Sequence, residues 1–101
     1  MIVAIVRFPV PGGLTLEAAR DVFTASAPSY QDLPGLHRKY YLRTDDGTGA
    51  GGVYLWESRA AAEAVYTDEW RGRLTARYGA APQVEYFDCP VIVEPGEVMV
   101  P

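Results

Sequence analysis

The sequence is poor in the residues on which several kinds of site depend. It has one cysteine, Cys89, and one histidine, His37, in 101 residues. A single thiol excludes a disulfide framework within the chain and a zinc site with four cysteine ligands. Basic residues are also few: 9 Lys and Arg stand against 13 Asp and Glu, a net charge of −4. This balance argues against a nucleic-acid-binding surface as the main role of the chain.

Long apolar runs are absent as well. The apolar opening, residues 1–6, is too short for the core of a signal peptide, lacks a basic segment before it and runs directly into Arg7 and Pro9. No run approaches the roughly 18 apolar residues of a membrane span. We therefore expect a soluble cytoplasmic domain with a reduced cysteine and no membrane partner.

Enough apolar residues are present for one compact core. They make up 49% of the chain, and no low-complexity linker or internal repeat divides it. We expect a single domain over residues 1–101, in which Pro95 and Gly96 lead into a C-terminal tail, residues 94–101.

Periodicity and turn residues predict four strands and two helical regions, the second of which is in two pieces. β-branched and aromatic residues indicate strands over 2–8, 36–43, 51–57 and 83–93. A first helix is expected after Thr15, which is a suitable N-cap. An alanine-rich helix follows Ser58, and a second helical piece begins at Thr67 or Asp68 and ends before Gly79.

The element order β-α-β-β-α-β predicts a fold of the α+β class. It is the ferredoxin-like arrangement, an antiparallel sheet with helices on one face. We expect the other face to carry the apolar side chains of Val3, Ile5, Tyr41, Tyr54 and Trp56. A small monomer does not leave so much apolar surface in water. The sequence therefore predicts a homodimer in which two sheets pack together as an α+β barrel, with a cavity between them.

Strand alternation suggests which side chains share a face. Val53 and Leu55 are assigned to the helix side, so Tyr54 and Trp56 face the cavity. In the preceding strand, His37, Lys39 and Tyr41 are assigned to the cavity, and Leu36, Tyr40 and Leu42 to the helices. A bulge near Gly51 and Gly52 would reverse half of this assignment.

Lys39 is the leading catalytic candidate. An ammonium group in an aromatic cavity stabilises a phenolate or peroxide anion, and burial lowers the pKa of the amine toward that of a base. The alternative is a lysine at the rim of the cavity, paired with Glu57 or Glu85.

The other candidates also carry two interpretations. Tyr41, Tyr54 and Trp56 are expected to stack on a flat ligand, or else to fill a core or dimer interface. His37 is a possible general base, or an exposed residue at a strand end. Arg7 interrupts an apolar strand and is a candidate to bind a carboxylate or phenolate, or else points to solvent. No metal-ligand spacing is present, so we expect no metal site.

Three segments resemble a known family. Residues 34–42 read PGLHRKYYL, residues 51–58 read GGVYLWES and residues 86–90 read YFDCP. These segments resemble small monooxygenase-like proteins of the YdhR type, in the dimeric α+β barrel superfamily of antibiotic biosynthesis monooxygenases. The resemblance covers residues 34 to 93, and the first strand and helix agree in order only.

The resemblance implies an activity as well as a fold. Cofactor-independent members are thought to oxidise electron-rich polyphenols, whose deprotonated form reacts directly with oxygen. It thus implies a monooxygenase without a cofactor that acts on a small aromatic substrate through Lys39, Tyr41, Tyr54 and Trp56, with His37 and Arg7 further out. Two alternatives remain open: a non-catalytic domain that binds an apolar or aromatic metabolite, and a dimer whose inner face is simply filled.

Overall fold

The computed structural model describes all 101 residues as one four-stranded sheet, a helical layer and a C-terminal hairpin. The strands of the sheet are β1 (Ile2–Pro9), β2 (Leu36–Arg43), β3 (Gly49–Trp56) and β4 (Gln83–Asp88). The helices are α1 (Leu16–Ser26), α2 (Arg59–Glu63) and α3 (Asp68–Tyr78), and a 3₁₀ turn (Ala27–Tyr30) extends α1. The hairpin consists of β5 (Ile92–Glu94) and β6 (Glu97–Met99). None of the helices is long and apolar enough to cross a membrane.

The predicted helix ends are confirmed by their caps. The side-chain oxygen of Thr15 accepts a hydrogen bond from the Ala18 amide at 3.1 Å, and those of Ser58 and Thr67 do the same at the starts of α2 and α3. Each cap satisfies one amide that the first helical turn leaves without a partner. Gly79 ends α3 with a φ of 86°, a left-handed conformation that glycine adopts without strain.

The sheet has the ferredoxin-like order. The strands lie in the order β2-β3-β1-β4, and every neighbouring pair is antiparallel. β3 lies between β1 and β2, so the chain crosses over β3 through α1. The helices pack on one face of the sheet, and the predicted α+β architecture is confirmed.

The predicted faces of β3 are wrong. Tyr54 and Trp56 point toward the helices, where they are 3% and 0% exposed, whereas Val53 and Leu55 lie on the open face. The alternation in β3 is apolar on both faces, so hydrophobicity alone did not distinguish them. The space available on each face distinguishes them. Ala4 pairs with Tyr54, and this small side chain leaves room for the Tyr54 ring under the helices.

The assignment of β2 is wrong for Lys39, Tyr40, Tyr41 and Leu42, whereas Leu36 packs on the helix side as predicted. Lys39 pairs with Tyr54 and Tyr41 pairs with Gly52, so both side chains lie on the helix face. Tyr40 and Leu42 lie on the open face. The register irregularity is in β2, between Leu36 and Arg38, and not at the two glycines of β3. His37 falls at this irregularity and is exposed.

The open face of the sheet is apolar, as expected. Val3 and Ile5 lie on it, as predicted, together with Val53 and Leu55. Larger side chains extend the same surface into solvent: Tyr40 is 53% exposed, Leu42 44% and Phe87 42%. No element of the chain packs as a layer over this face.

The C-terminal strand is shorter than predicted. It ends at Asp88, and Pro90 follows, a residue that cannot donate to a sheet ladder. After this break the chain forms the β5–β6 hairpin, whose turn contains Gly96 at a φ of 77°. Residues 97–99, which were expected in the tail, are therefore a strand. Val93 and Val98 of the hairpin are largely exposed.

Candidate functional site

The side chain of Lys39 ends in an aromatic chamber between the sheet and the helices. Its Nζ atom lies 3.4 Å from the centre of the Tyr30 ring, 3.7 Å from that of Tyr41 and 4.6 Å from that of Tyr54. Ring faces attract a cation at such distances. The amine is therefore surrounded by three rings, which attract the ammonium ion but carry no negative charge to balance its positive charge.

No carboxylate faces Lys39 in this chamber. The chamber has a volume of about 40 Å³ and is lined by Val6, Phe8, Phe23, Ser26, Tyr30, Lys39, Tyr41, Gly51, Tyr54, Leu74, Arg77 and Tyr78. None of the three ion pairs of the protein includes Lys39. Burial without a counter-ion disfavours the ammonium form and lowers the pKa of Lys39 from 10.5 to about 7. The amine is thus present in both protonation states near neutral pH.

Each ring around Lys39 is fixed by a contact to another element. The Tyr30 hydroxyl accepts a hydrogen bond from Nε1 of Trp70 in α3 at 3.0 Å. The Tyr41 hydroxyl shares a hydrogen bond of 2.7 Å with Oγ of Ser26, and its ring stacks on Phe23 with 4.8 Å between centroids. Burial raises the pKa of both Tyr41 and Tyr54, so both phenols stay protonated.

Gly52 provides the space in which Lys39 lies. A Cβ atom at this position would lie 3.1 Å from Cε1 of Tyr54, 3.4 Å from Cε of Lys39 and 2.9 Å from the Tyr40 carbonyl oxygen. The last two distances show that a side chain here would press on both the lysine stem and the backbone of β2. The absence of a side chain at Gly52 therefore leaves room for the Lys39 side chain against the sheet.

Trp56 and Tyr66 support the chamber from behind. Nε1 of Trp56 donates a hydrogen bond of 3.0 Å to the Tyr66 hydroxyl, and this bond is buried. The Trp56 ring stacks beside Tyr54 with 6.0 Å between centroids, and Tyr66 meets Tyr54 edge-on at 5.4 Å. These contacts fix the orientation of the Tyr54 ring.

Two openings lie beside the chamber. A groove of about 610 Å³ runs between α1 with its 3₁₀ turn and the α2–α3 layer. It shares Ser26, Tyr30, Leu74 and Arg77 with the chamber. On the other side of Lys39, a surface cleft of about 260 Å³ is lined by His37, Arg38, Lys39 and Tyr41, among others. The groove thus borders the chamber, and Lys39 itself lines the outer cleft.

Comparison with solved structures identifies the fold. A monooxygenase from the gene ActVA-Orf6 of Streptomyces coelicolor, in complex with the ligand nanaomycin D, superposes with a TM-score of 0.69 at 24% identity, over 93% of this chain and 91% of that one. SnoaB, a cofactor-independent oxygenase from Streptomyces nogalater, superposes with a TM-score of 0.61 at 22% identity, over 87% and 91%. An antibiotic biosynthesis monooxygenase superposes with a TM-score of 0.60 at 16% identity, over 88% and 98%. The chain shares its α+β fold with these proteins. No protein-family model and no curated protein matches the sequence.

Within this fold, the structure brings together three of the predicted site residues. Lys39, Tyr41 and Tyr54 meet in the chamber, and Trp56 lies behind it. This chamber is enclosed by the sheet and helices of one chain, so the expected position between two sheets is corrected. The reason is that the side chains of Lys39, Tyr41 and Tyr54 point toward the helices and not, as predicted, toward the open face of the sheet.

The two outer candidates lie away from the chamber. His37 is exposed and lines the outer cleft. Arg7 lies on the open face of the sheet, opposite to Lys39, where its Nη1 is 3.7 Å from Oε1 of Glu85. Both side chains of this pair are largely exposed, so the pair contributes little to stability.

Sequence reasoning missed Ser26, Tyr30 and Arg77. Tyr30 and Ser26 come from the end of α1 and its 3₁₀ turn, and Arg77 comes from α3. All three reach the site through tertiary packing, for which strand periodicity gives no signal.

Proposed function

We propose that this chain is a cofactor-independent monooxygenase that oxidises a small phenolic aromatic compound, with the amine of Lys39 as the base. The observation that carries the proposal is an amine held among three rings without a carboxylate partner. Two proteins of the same fold support it, since one is a monooxygenase bound to nanaomycin D and the other a cofactor-independent oxygenase.

The first step is a proton transfer. The neutral amine of Lys39 takes the proton of a phenolic hydroxyl group, which gives a phenolate and an ammonium ion. The faces of Tyr30, Tyr41 and Tyr54 stabilise this ammonium. The phenolate is stabilised in turn by the new positive charge, which has little water around it to screen the attraction.

The second step uses molecular oxygen. The electron-rich carbon of the phenolate transfers electrons to O₂, a C–O bond forms, and the resulting peroxide anion takes the proton of the Lys39 ammonium to give a hydroperoxide. Water is then eliminated: the hydrogen on the same carbon leaves as a proton, the O–O bond breaks and a carbonyl remains. For an anthrone the balance is substrate plus O₂ to anthraquinone plus H₂O, and the substrate itself supplies all the electrons.

The size of the chamber determines where such a substrate lies. At about 40 Å³ the chamber has room for only a few water molecules and not for an aromatic ring. The ring therefore lies in the groove of about 610 Å³ and directs only its hydroxyl group into the chamber. Tyr30 borders both spaces and offers its ring to the substrate as well as to Lys39.

A homodimer is part of the proposal. The open face of the sheet carries half-buried aliphatic side chains and the exposed Tyr40, Leu42 and Phe87. A surface of this kind is rare on a monomer. A second copy packed sheet to sheet covers it, as the sequence predicts, while each chain keeps its own chamber.

Oxygen consumption tests the activity. Purified protein is supplied with 1,8-dihydroxyanthrone and, in parallel, a dihydroxynaphthalene, and uptake above the uncatalysed rate is measured from pH 6 to pH 9. We expect the rate to rise through pH 7 as Lys39 loses its proton, and ¹⁸O₂ to deliver one labelled atom to the product. Lys39→Met is expected to lose at least 100-fold in kcat/KM, because general-base catalysis contributes about 10²–10⁴-fold.

Arg20→Met is the control, since Arg20 is exposed on α1 and lines neither the chamber nor the groove. Equal rates for wild type and Lys39→Met would contradict the role of Lys39. Saturable binding of the phenol without oxygen uptake would favour the alternative, a non-catalytic binding domain.

A further inference from the structure

The charges around Lys39 differ from those of the whole chain. The chamber, the groove and the outer cleft are lined by four of the nine basic residues, Arg38, Lys39, Arg73 and Arg77. Of the 13 acidic residues, only Glu69 lines any of these spaces. The spaces around Lys39 therefore carry an excess of positive charge, which attracts anions.

Two of these cations lie on one face of the groove. Arg73 and Arg77 are four residues apart in α3, so their side chains are neighbours on the helix surface. Both line the groove, and Arg77 also lines the chamber. Arg77 therefore borders both the groove and the chamber, and Arg73 lies one helical turn before it in the groove.

Arg77 has no carboxylate partner, although its guanidinium group contacts the Tyr78 hydroxyl. It belongs to none of the ion pairs of the protein. Its positive charge reaches the chamber, where it acts to lower the pKa of Tyr41 and Tyr78 against the larger effect of burial, which raises it. Arg73 is paired with Glu69 at 3.5 Å, but both side chains are exposed, and such a pair is weak enough to exchange partners.

We infer that the groove binds an aromatic acid, a phenol whose carboxylate is held by Arg77 and Arg73 while its hydroxyl group points toward Lys39. The inference rests on the proposed function for the orientation of the hydroxyl group, and it adds the class of substrate. The planar guanidinium group of arginine matches a carboxylate through two parallel hydrogen bonds. Trp70 and Tyr30, which also line the groove, offer faces to the ring between the two polar ends.

A matched pair of probes tests the carboxylate. 1,4-Dihydroxy-2-naphthoic acid and its methyl ester share the ring and the hydroxyl groups and differ in charge. Their binding to the intact protein is measured by calorimetry under argon, so that no turnover occurs. We expect the acid to bind at least tenfold more tightly than the ester, and Arg77→Gln to remove that preference while leaving the affinity for the ester within twofold.

Arg73→Gln is expected to weaken binding of the acid severalfold, because its charge remains partly engaged with Glu69. Arg71→Gln is the matched control, since it makes the same change of charge on the same helix at a residue that does not line the groove. Equal affinities for acid and ester, an equal loss in Arg71→Gln, or no saturable binding of either probe at millimolar concentration would overturn the inference.

Aerobic assays separate this inference from the proposed function. If the acid is preferred through Arg77 but no oxygen is consumed, the site for an aromatic acid is supported and the oxygenase activity is contradicted. If acid and ester are oxidised with the same kcat/KM and bind equally, the oxygenase activity is supported and the carboxylate site is overturned.

Discussion

Nζ of Lys39 lies 3.4 Å from the centre of the Tyr30 ring, although Lys39 belongs to the sheet and Tyr30 to the helical layer. The site therefore exists only when the two layers are packed together. Tyr30 is itself held by Trp70 of α3 through a hydrogen bond of 3.0 Å. Both helical segments thus help to determine the environment of a single amine, and two physical consequences can be measured directly.

The first prediction concerns the protonation of Lys39. It is the only lysine of the chain, so its ¹³Cε resonance in lysine-labelled protein requires no assignment. Burial without a counter-ion lowers its pKa, and we expect a midpoint of about 7 in the folded protein. The same resonance in urea-unfolded protein should titrate at about 10.4, the ordinary value for lysine. A midpoint above 10 in the folded state would contradict the description of the chamber.

The second prediction follows from the same shift and concerns stability. Between pH 7 and about 10.5 the unfolded chain binds one more proton at Lys39 than the folded chain does. The free energy of unfolding therefore rises with pH in this window, and the contribution of Lys39 is least favourable below pH 7. Removing the amine in Lys39→Met should stabilise the protein below pH 7, where the folded state buries a charge.

The difference between variant and wild type isolates this effect, because all other titrating groups are common to both. We expect the stability advantage of Lys39→Met to decrease by about 1.4 kcal/mol per pH unit between pH 7 and pH 9. Urea denaturation at half-unit intervals of pH measures it. An advantage that does not change with pH would show that the amine is solvated.

The elements of the fold could be predicted from the sequence, because local chemistry marks their ends. Thr15, Ser58 and Thr67 cap the three helices, and Gly79 ends the last one, as expected. The end of β4 was misjudged because the apolar residues after Pro90 continue the pattern of a strand. The proline breaks the ladder although hydrophobicity does not change there.

The candidate site was predictable in its residues but not in its position. Lys39, Tyr41 and Tyr54 were expected together because strand alternation places them on the same face of adjacent strands. They stay together on one face even though the prediction chose the wrong face of the sheet. Which face meets the helices depended on long-range packing of Tyr54 against Ala4 and Gly52. Tyr30 and Arg77 join the site through tertiary contacts, which strand periodicity does not encode.

The third prediction concerns the hydrogen bond behind the chamber. Tyr66→Phe removes the acceptor of Nε1 of Trp56 and leaves that buried N–H without a partner, because Trp56 is 0% exposed. We expect a loss of about 1–3 kcal/mol in the free energy of unfolding, measured by urea denaturation. Thr24→Val, which removes an exposed hydroxyl group on α1, is the control and should change stability by less than about 0.5 kcal/mol. Similar losses in both variants would show that the Trp56–Tyr66 bond is not specifically stabilising.

The fourth prediction concerns the open face of the sheet. If a second copy covers it, light scattering should give about twice the chain mass of 11.1 kDa at micromolar concentration. Leu42→Glu places a charge on this surface, where its desolvation is costly, and should shift the mass to that of one chain. Leu16→Glu is the control, since Leu16 is 59% exposed on α1 and far from the open face, and it should leave the dimer unchanged. Because each chain encloses its own Lys39 chamber, the Leu42→Glu monomer should keep the low pKa of Lys39. A monomeric wild type would contradict the dimer, and a return of the Lys39 pKa toward 10 in the monomer would mean that the partner helps to close the chamber.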